Sequence, residues 1–186
     1  DDSDVWKTID AEDLWIYDKL ILSRRLGYDC GPAGVAPTVT GRYCVRPISN
    51  YRSMGRGSSI VSIEQGQDTI PDGYFWCELF TGRHLSFDYN RGVQCLAVEG
   101  IKHDDRTDRF ALWKRVPDVF VLPGILDAVA QRHEWLNVET IGDKIIEAHL
   151  RYNDDFANHG ANTIVPVWKE DFYSSPAGDR IGFILK

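Results

Sequence analysis

No apolar run in this sequence of 186 residues approaches the ~20 that a helix needs to cross a bilayer. No secretory leader is visible, so the expected setting is the cytoplasm. Cysteine is scarce. Cys30, Cys44, Cys77 and Cys95 are widely spaced with no C-x-x-C pair, and the last three sit inside apolar, strand-like runs. Such thiols read as small hydrophobes, reduced and in or near a core. Basic charge is short as well: Lys plus Arg is 21 against 28 for Asp plus Glu, a net charge of −7. That balance argues against general nucleic-acid or membrane-surface binding and leaves room for a basic groove on one face. No internal repeat or low-complexity linker divides the chain, whose length suits one domain or two small lobes sharing a core. No Ser-His-Asp or Cys-His spacing suggests a nucleophile.

What is present is bulk for burial: six Trp, eight Tyr and eight Phe, with hydrophobic residues at 43%. After an acidic start at Asp1 to Asp4, Asp10 is a plausible N-cap for a helix from about Ala11 to Leu26. Leu14, Tyr17, Ile21 and Leu22 repeat at helical spacing, and Gly27 supplies the stop. Tyr28 to Pro37 is turn chemistry. Tyr43 to Val45 reads as a strand ending on Arg46 and Pro47, and Ile60 to Ile63 reads as a second. The loop between them carries Arg46, Arg52, Arg56, Gly55 and Gly57, which can fold backbone N–H groups around an anion; a solvated basic hairpin tip is the plainer alternative.

Three further runs, Tyr74 to Phe80, His84 to Tyr89 and Val93 to Val98, are joined by short turns and predict an antiparallel meander. Leu112 to Val116 reads as a short strand. Pro123 stands at a helix start, with Ile125, Leu126, Val129 and Ala130 as the apolar face. Asn137 to Thr140 and Lys144 to Leu150 flank Gly142-Asp143 as a hairpin, and Thr163 to Trp168 and Ile181 to Leu185 close the chain as strands. The class is α+β with strands dominant.

Within that hairpin Glu147, His149 and Arg151 alternate, so they share one face of a strand while Ile146, Ala148 and Leu150 face a core. Glu139, on the partner strand, can reach the same polar face. Two carboxylates, an imidazole and a guanidinium can hold Mg²⁺ carrying phosphate; a solvated face held by a Glu–Arg pair is the alternative. His103 with Asp104 and Asp105 offers a second metal set, against a charged loop. Trp113-Lys114-Arg115 offers a phosphate contact, against a strand with outward charges.

The order of these segments resembles an ATP-grasp domain, the nucleotide-binding core of carboxylate–amine ligases, over roughly residues 14–156. Asp18-Lys19 followed by Gly27 to Pro37 resembles the family's opening "DK … G-x-P-x-P" segment. Val45-Arg46-Pro47 resembles its "V-K-P" strand end, and Ser53 to Ser58 falls at its glycine-rich phosphate loop. Phe75 to Phe80 resembles the hinge strand "V-x-E-F-I", and Gly82-Arg83-His84 its "G-x-E" turn. Val138-Glu139 with Glu147-Ala-His149-Leu-Arg151 resembles "V-D-F … E-x-N-x-R". Three departures stand out: Arg46 replaces lysine, His84 replaces glutamate, and His149 replaces the metal-binding asparagine.

The resemblance implies an α+β, ATP-grasp-like fold of two small lobes with antiparallel sheets and few helices. It implies a single domain over 1–186, with lobes at about 10–70 and 71–156 and a C-terminal extension over 157–186. ATP would lie between the lobes, with Arg46, Gly55, Gly57 and Ser58 on its phosphates and Glu78, Leu79 and Phe80 around adenine. Glu139, Glu147 and His149 would hold Mg²⁺, and Arg151 with Arg46 would act on the transferring phosphoryl group. The implied activity is ligation of a small carboxylate and an amine through an acyl phosphate; the alternative is a degenerate, non-catalytic fold in a structural or binding role. The chain also resembles uncharacterised tailed-phage proteins, which implies no function but would place it in host cytoplasm or virion; the partners expected beside ATP and substrate are a second copy of the chain or virion components.

Overall fold

The computed structural model describes residues 5, 7–49, 57–67, 70–103, 109–157, 159–169 and 180–186. These residues form two antiparallel sheets, a 3-10 helix and three short α-helices, an α+β architecture. The first sheet has four strands in the order β1 (Cys30–Pro32), β4 (Tyr74–Glu78), β2 (Gly41–Pro47) and β3 (Ser59–Ile63). The second has seven, in the order β11 (Arg180–Leu185), β10 (Thr163–Trp168), β7 (Phe110–Arg115), β6 (Val93–Lys102), β5 (His84–Asn90), β8 (Trp135–Ile141) and β9 (Lys144–His149). No described helix is long and apolar enough to cross a membrane.

The expected meander is corrected at its first strand. β4 pairs with β1 and β2, so the chain changes sheets after Glu78, and β5 pairs instead with β6 and β8. The unbroken apolar run in β4 is the physical reason. Phe75, Trp76 and Cys77 are all buried, as in a central strand covered on both faces, whereas strands with one wet face alternate.

The expected long helix is also divided. Asp18 is extended (φ −92°, ψ 103°), and its side chain accepts a hydrogen bond from the Ile21 N–H at 2.8 Å. It therefore caps a new helix, α1 (Lys19–Arg25), after a 3-10 helix over Ala11–Tyr17. The break rotates the inward stripe to Trp15, Ile16, Leu20 and Leu22, leaving Leu14 and Ile21 exposed. In α2 (Gly124–Arg132), preceded by Pro123, the buried positions are Leu126, Val129 and Ala130, while Ile125 turns outward.

The main core lies between these helices and one face of the seven-stranded sheet. Leu85, Phe87, Leu136, Val138, Ile145 and Ala148 meet Trp15, Ile16, Leu22, Leu126 and Val129 there. Behind the four-stranded sheet a second cluster gathers Tyr43, Val45, Ile63, Ile70 and Trp76.

One charged group crosses the helical layer. Asp13, buried to 1% exposure, accepts hydrogen bonds from Arg132 Nε at 3.2 Å and pairs with His133 Nε2 at 2.7 Å. Burial pushes its carboxyl up, but the bonds to Arg132 and His133 outweigh that and hold it below the usual range. A depressed carboxyl stabilises fully above its unfolded pKa of about 4 and loses that contribution as pH falls through the folded value. The urea midpoint should therefore drop on acidification below about pH 4, and Asp13→Asn should flatten that slope. An unchanged slope in the variant would remove this tie from the account.

Candidate functional site

Opposite the main core, the free face of the seven-stranded sheet looks onto the four-stranded sheet across a cleft of about 1530 Å³. Register sets what the cleft contains. Ser86, Glu139 and Glu147 stand in one cross-strand row, and Asp88, Asn137 and His149 stand in the next. A bulge in β9 makes this possible: Glu139 pairs with Glu147 and Thr140 with Ile145, so Ile146 is the extra residue. Ile145, not the expected Ile146, therefore enters the core beside Ala148 and Leu150, and Ile146 lines the cleft.

β9 lies at the sheet edge, and the N-terminal half of the chain completes it. The Tyr28 hydroxyl accepts from the Ile145 N–H at 2.9 Å, and the Tyr17 hydroxyl accepts from the Leu150 N–H at 3.2 Å. Between them Arg46 Nη1 donates to the Ile146 carbonyl at 2.8 Å. Side chains thus occupy edge groups that another strand could otherwise use.

Charge concentrates at this seam. Lys19 Nζ and His149 Nε2 each lie 3.2 Å from Glu147 Oε1, and His84 Nε2 lies 3.0 Å from Glu139 Oε2. Glu139, Glu147 and His149 bring one donor atom apiece within 4.8 Å of one another. Arg46, 7% exposed, sits over the Phe75 ring at 5.1 Å, and its buried Nε has no hydrogen-bond partner among the described residues. Burial pushes Glu147 up, but His149, Lys19 and Arg46 outweigh it and hold the carboxyl well below its ordinary range. Glu139 is lowered in the same way, with burial and the Glu147 charge opposed by His84 and His149. Both acids are therefore carboxylates at neutral pH.

Deeper in, Asn137 Nδ2 donates to Ser86 Oγ at 2.8 Å and to Asp88 Oδ1 at 2.7 Å. Asp88 Oδ2 accepts from the Asn153 N–H at 2.8 Å. Burial nonetheless pushes the Asp88 carboxyl up. This network fixes the segment after β9 against the sheet.

The structure places the expected residues as follows. Arg46, Ser58, Glu78, Leu79, Phe80, Glu139, Glu147, His149 and Arg151 all line the cleft. Glu78 Oε1 also accepts from the Asp29 N–H at 3.1 Å, and Phe80 packs edge-on against Tyr28. Gly57 has φ +80°, and a Cβ there would meet Tyr74 Oη at 2.9 Å. Gly55, Arg52, Arg56, Asp104 and Asp105 lie outside the described residues. One expectation is corrected: β9 ends at His149, so Arg151 reaches the cleft from the bend that follows, with Nη1 donating to the Tyr152 carbonyl at 3.3 Å. Of the weaker candidates, Arg115 donates to the carbonyls of Ala161 and Phe156, and Lys114 pairs with Glu99.

Sequence reasoning passed over Lys19 as a site residue. From the sequence it stands only in the Asp18-Lys19 pair inside the expected helix, and its place in the first turn of α1 follows from the break at Asp18. His84 was visible only as a departure. Its ring stands edge-on to Phe110 and Trp113 on β7, contacts that the sequence does not show.

The crossover between the sheets rests on the β8–β9 turn. Gly142, at φ +61°, would bring a Cβ within 2.7 Å of the Thr81 carbonyl oxygen. Gly142→Ala should cost about 1–3 kcal/mol, read as a lower urea midpoint. A parental midpoint would mean that this contact yields freely.

No family model matches the sequence, and no curated protein matches it. Solved structures do match the fold. A candidate ATP-grasp superfamily protein from Archaeoglobus fulgidus aligns over 92% of this chain, at TM-score 0.51 and 14% identity. The fold is ATP-grasp-like. This chain spans 64% of that protein's length. Weaker likenesses are to the ATP-grasp ligase PsnB complexed with a minimal precursor (TM-score 0.42, 10% identity, 76% of this chain and 54% of that one). D-alanine–D-alanine ligase from Bacillus anthracis complexed with ATP is another (TM-score 0.41, 13% identity, 73% of this chain and 55% of that one).

The sequence resemblance implies Mg²⁺ at Glu139, Glu147 and His149. The donor set here fits it only in part. Two carboxylates suit that hard ion, but the third group is an imidazole, which Mg²⁺ binds poorly.

Proposed function

We propose that the cleft binds ATP and that the chain acts as a carboxylate–amine ligase. Arg46 carries the reading: a buried guanidinium from one sheet, whose Nε has no partner among the described residues, ends beside Glu147 of the other. A buried cation whose donors are not all used is ready for phosphate oxygens. Lys19, Gly57 and Ser58 complete the phosphate cradle, while Glu78, Leu79 and Phe80 border adenine. A divalent ion at Glu139, Glu147 and His149 would neutralise phosphate charge when bound.

In the proposed reaction a substrate carboxylate oxygen attacks the γ-phosphorus, the bond to the β-phosphate oxygen breaks, and ADP leaves. An amine then attacks the acyl phosphate carbon and inorganic phosphate departs, with a proton lost from the amine. Arg151 and Arg46 hold the charge spread over the transferring group.

One observation favours a second reading, a non-catalytic ATP-grasp-like component of a larger assembly such as a phage particle. Lys19 and His149 already engage Glu147, and His84 already engages Glu139, so both carboxylates have partners without a ligand. ADP release in the presence of pooled amino acids and amines separates the two. Acceptor-dependent ADP release supports the ligase. ATP binding with no release from any pool would favour the second.

A further inference from the structure

We propose that Glu139, Glu147 and His149 form a centre for a first-row transition-metal ion, Zn²⁺ or Co²⁺, that loads without nucleotide and in preference to Mg²⁺. The inference rests on the metal–nucleotide reading of this site for the ion's position, but not on nucleotide binding itself.

One donor pair already has the spacing of ligands sharing one ion. Two donors each about 2.1 Å from a metal, at angles between octahedral and tetrahedral, lie about 3.0–3.4 Å apart. His149 Nε2 and Glu147 Oε1 lie 3.2 Å apart. Glu139 completes a set whose donor atoms all fall within 4.8 Å. The donors are also held in place. His84 holds Glu139 Oε2 at 3.0 Å, and Phe110 and Trp113 flank the His84 ring. Such outer contacts orient metal-binding side chains. His149 is 3% exposed, and Tyr17 stands edge-on to it at 6.3 Å between ring centres.

Ligand chemistry selects the class of ion. Imidazole suits zinc and its first-row neighbours, whereas Mg²⁺ prefers oxygen and keeps much of its water. Loading replaces the His149–Glu147 hydrogen bond, so His149 binds as neutral imidazole. It also leaves Lys19, now 3.2 Å from the same carboxylate oxygen, free to turn toward the cleft.

The test titrates CoCl₂ into the full, nucleotide-free chain and follows visible absorption, then adds MgCl₂ or ZnCl₂. We expect one equivalent of Co²⁺ to bind, to survive an approximately hundredfold excess of Mg²⁺, and to yield to Zn²⁺. His149→Asn should weaken Co²⁺ about tenfold or more without weakening Mg²⁺. Glu139→Gln serves as a second variant, with circular dichroism confirming that each is folded. Displacement by Mg²⁺ at concentrations comparable to Co²⁺, or unchanged Co²⁺ affinity in both folded variants, would overturn the proposal. ATP calorimetry on the same samples separates the two readings. Mg²⁺-dependent ATP binding without a Co²⁺ site defeats this inference alone, while a Co²⁺ site without ATP binding supports it and defeats the nucleotide reading.

Discussion

Exchanging Glu147 for lysine should remove the metal-dependent part of ATP binding, at least a hundredfold, or about 2.7 kcal/mol. Glu147 is the carboxylate on which Lys19 and His149 converge, close enough to Arg46 to feel its charge. The substitution deletes a donor from the only three-residue metal-capable cluster among the described residues. It also sets three cations together, so any remaining affinity for phosphate should no longer depend on a divalent ion. Glu147→Gln keeps the size and removes only the charge, and should lose metal dependence with little effect on folding. The affinity to compare is that with metal against that with chelator. If both variants keep the parental ratio, the carboxylate is structural and the assignment of the cleft fails.

Phe87→Ala should cost about 3–5 kcal/mol, much of the stability expected of a domain this size. Phe87 is 1% exposed in β5, opposite Val138 and Ala97, and stacks on Phe120 with ring centres 5.1 Å apart. Truncation leaves a ring-sized void between the helices and the sheet, and the flanking strands cannot close on it without losing register. The urea midpoint should fall with an unchanged slope. Because Ser86 and Asp88 face the opposite side of the same strand, the folded fraction should keep its ATP affinity. A loss of affinity in the folded state would show that the two faces are not independent.

How far this was legible from sequence depends on whether each signal is local. Glu139, Glu147 and His149 could be grouped in advance because strand alternation and a Gly142 turn are local properties. The bulge at Ile146 was not, since a bulge answers to the partner strand. The partner of Tyr74–Glu78 was misread for a similar reason: short turns favour neighbours, but β4 is buried on both faces and belongs between β1 and β2. The helix break at Asp18 carried a readable cap that helical periodicity obscured. Arg46 was identifiable as a cation at a strand end. Its bond to the Ile146 carbonyl spans 100 positions and could come only from the fold.

Calorimetric titration of the chain with ATP, with and without a divalent ion, tests most directly whether residues from both sheets make one nucleotide site. Micromolar, metal-dependent binding at one site per chain, lost in Arg46→Met from the first sheet and in Glu147→Gln from the second, is the predicted result. No heat of binding at millimolar ATP, with or without metal, would contradict it.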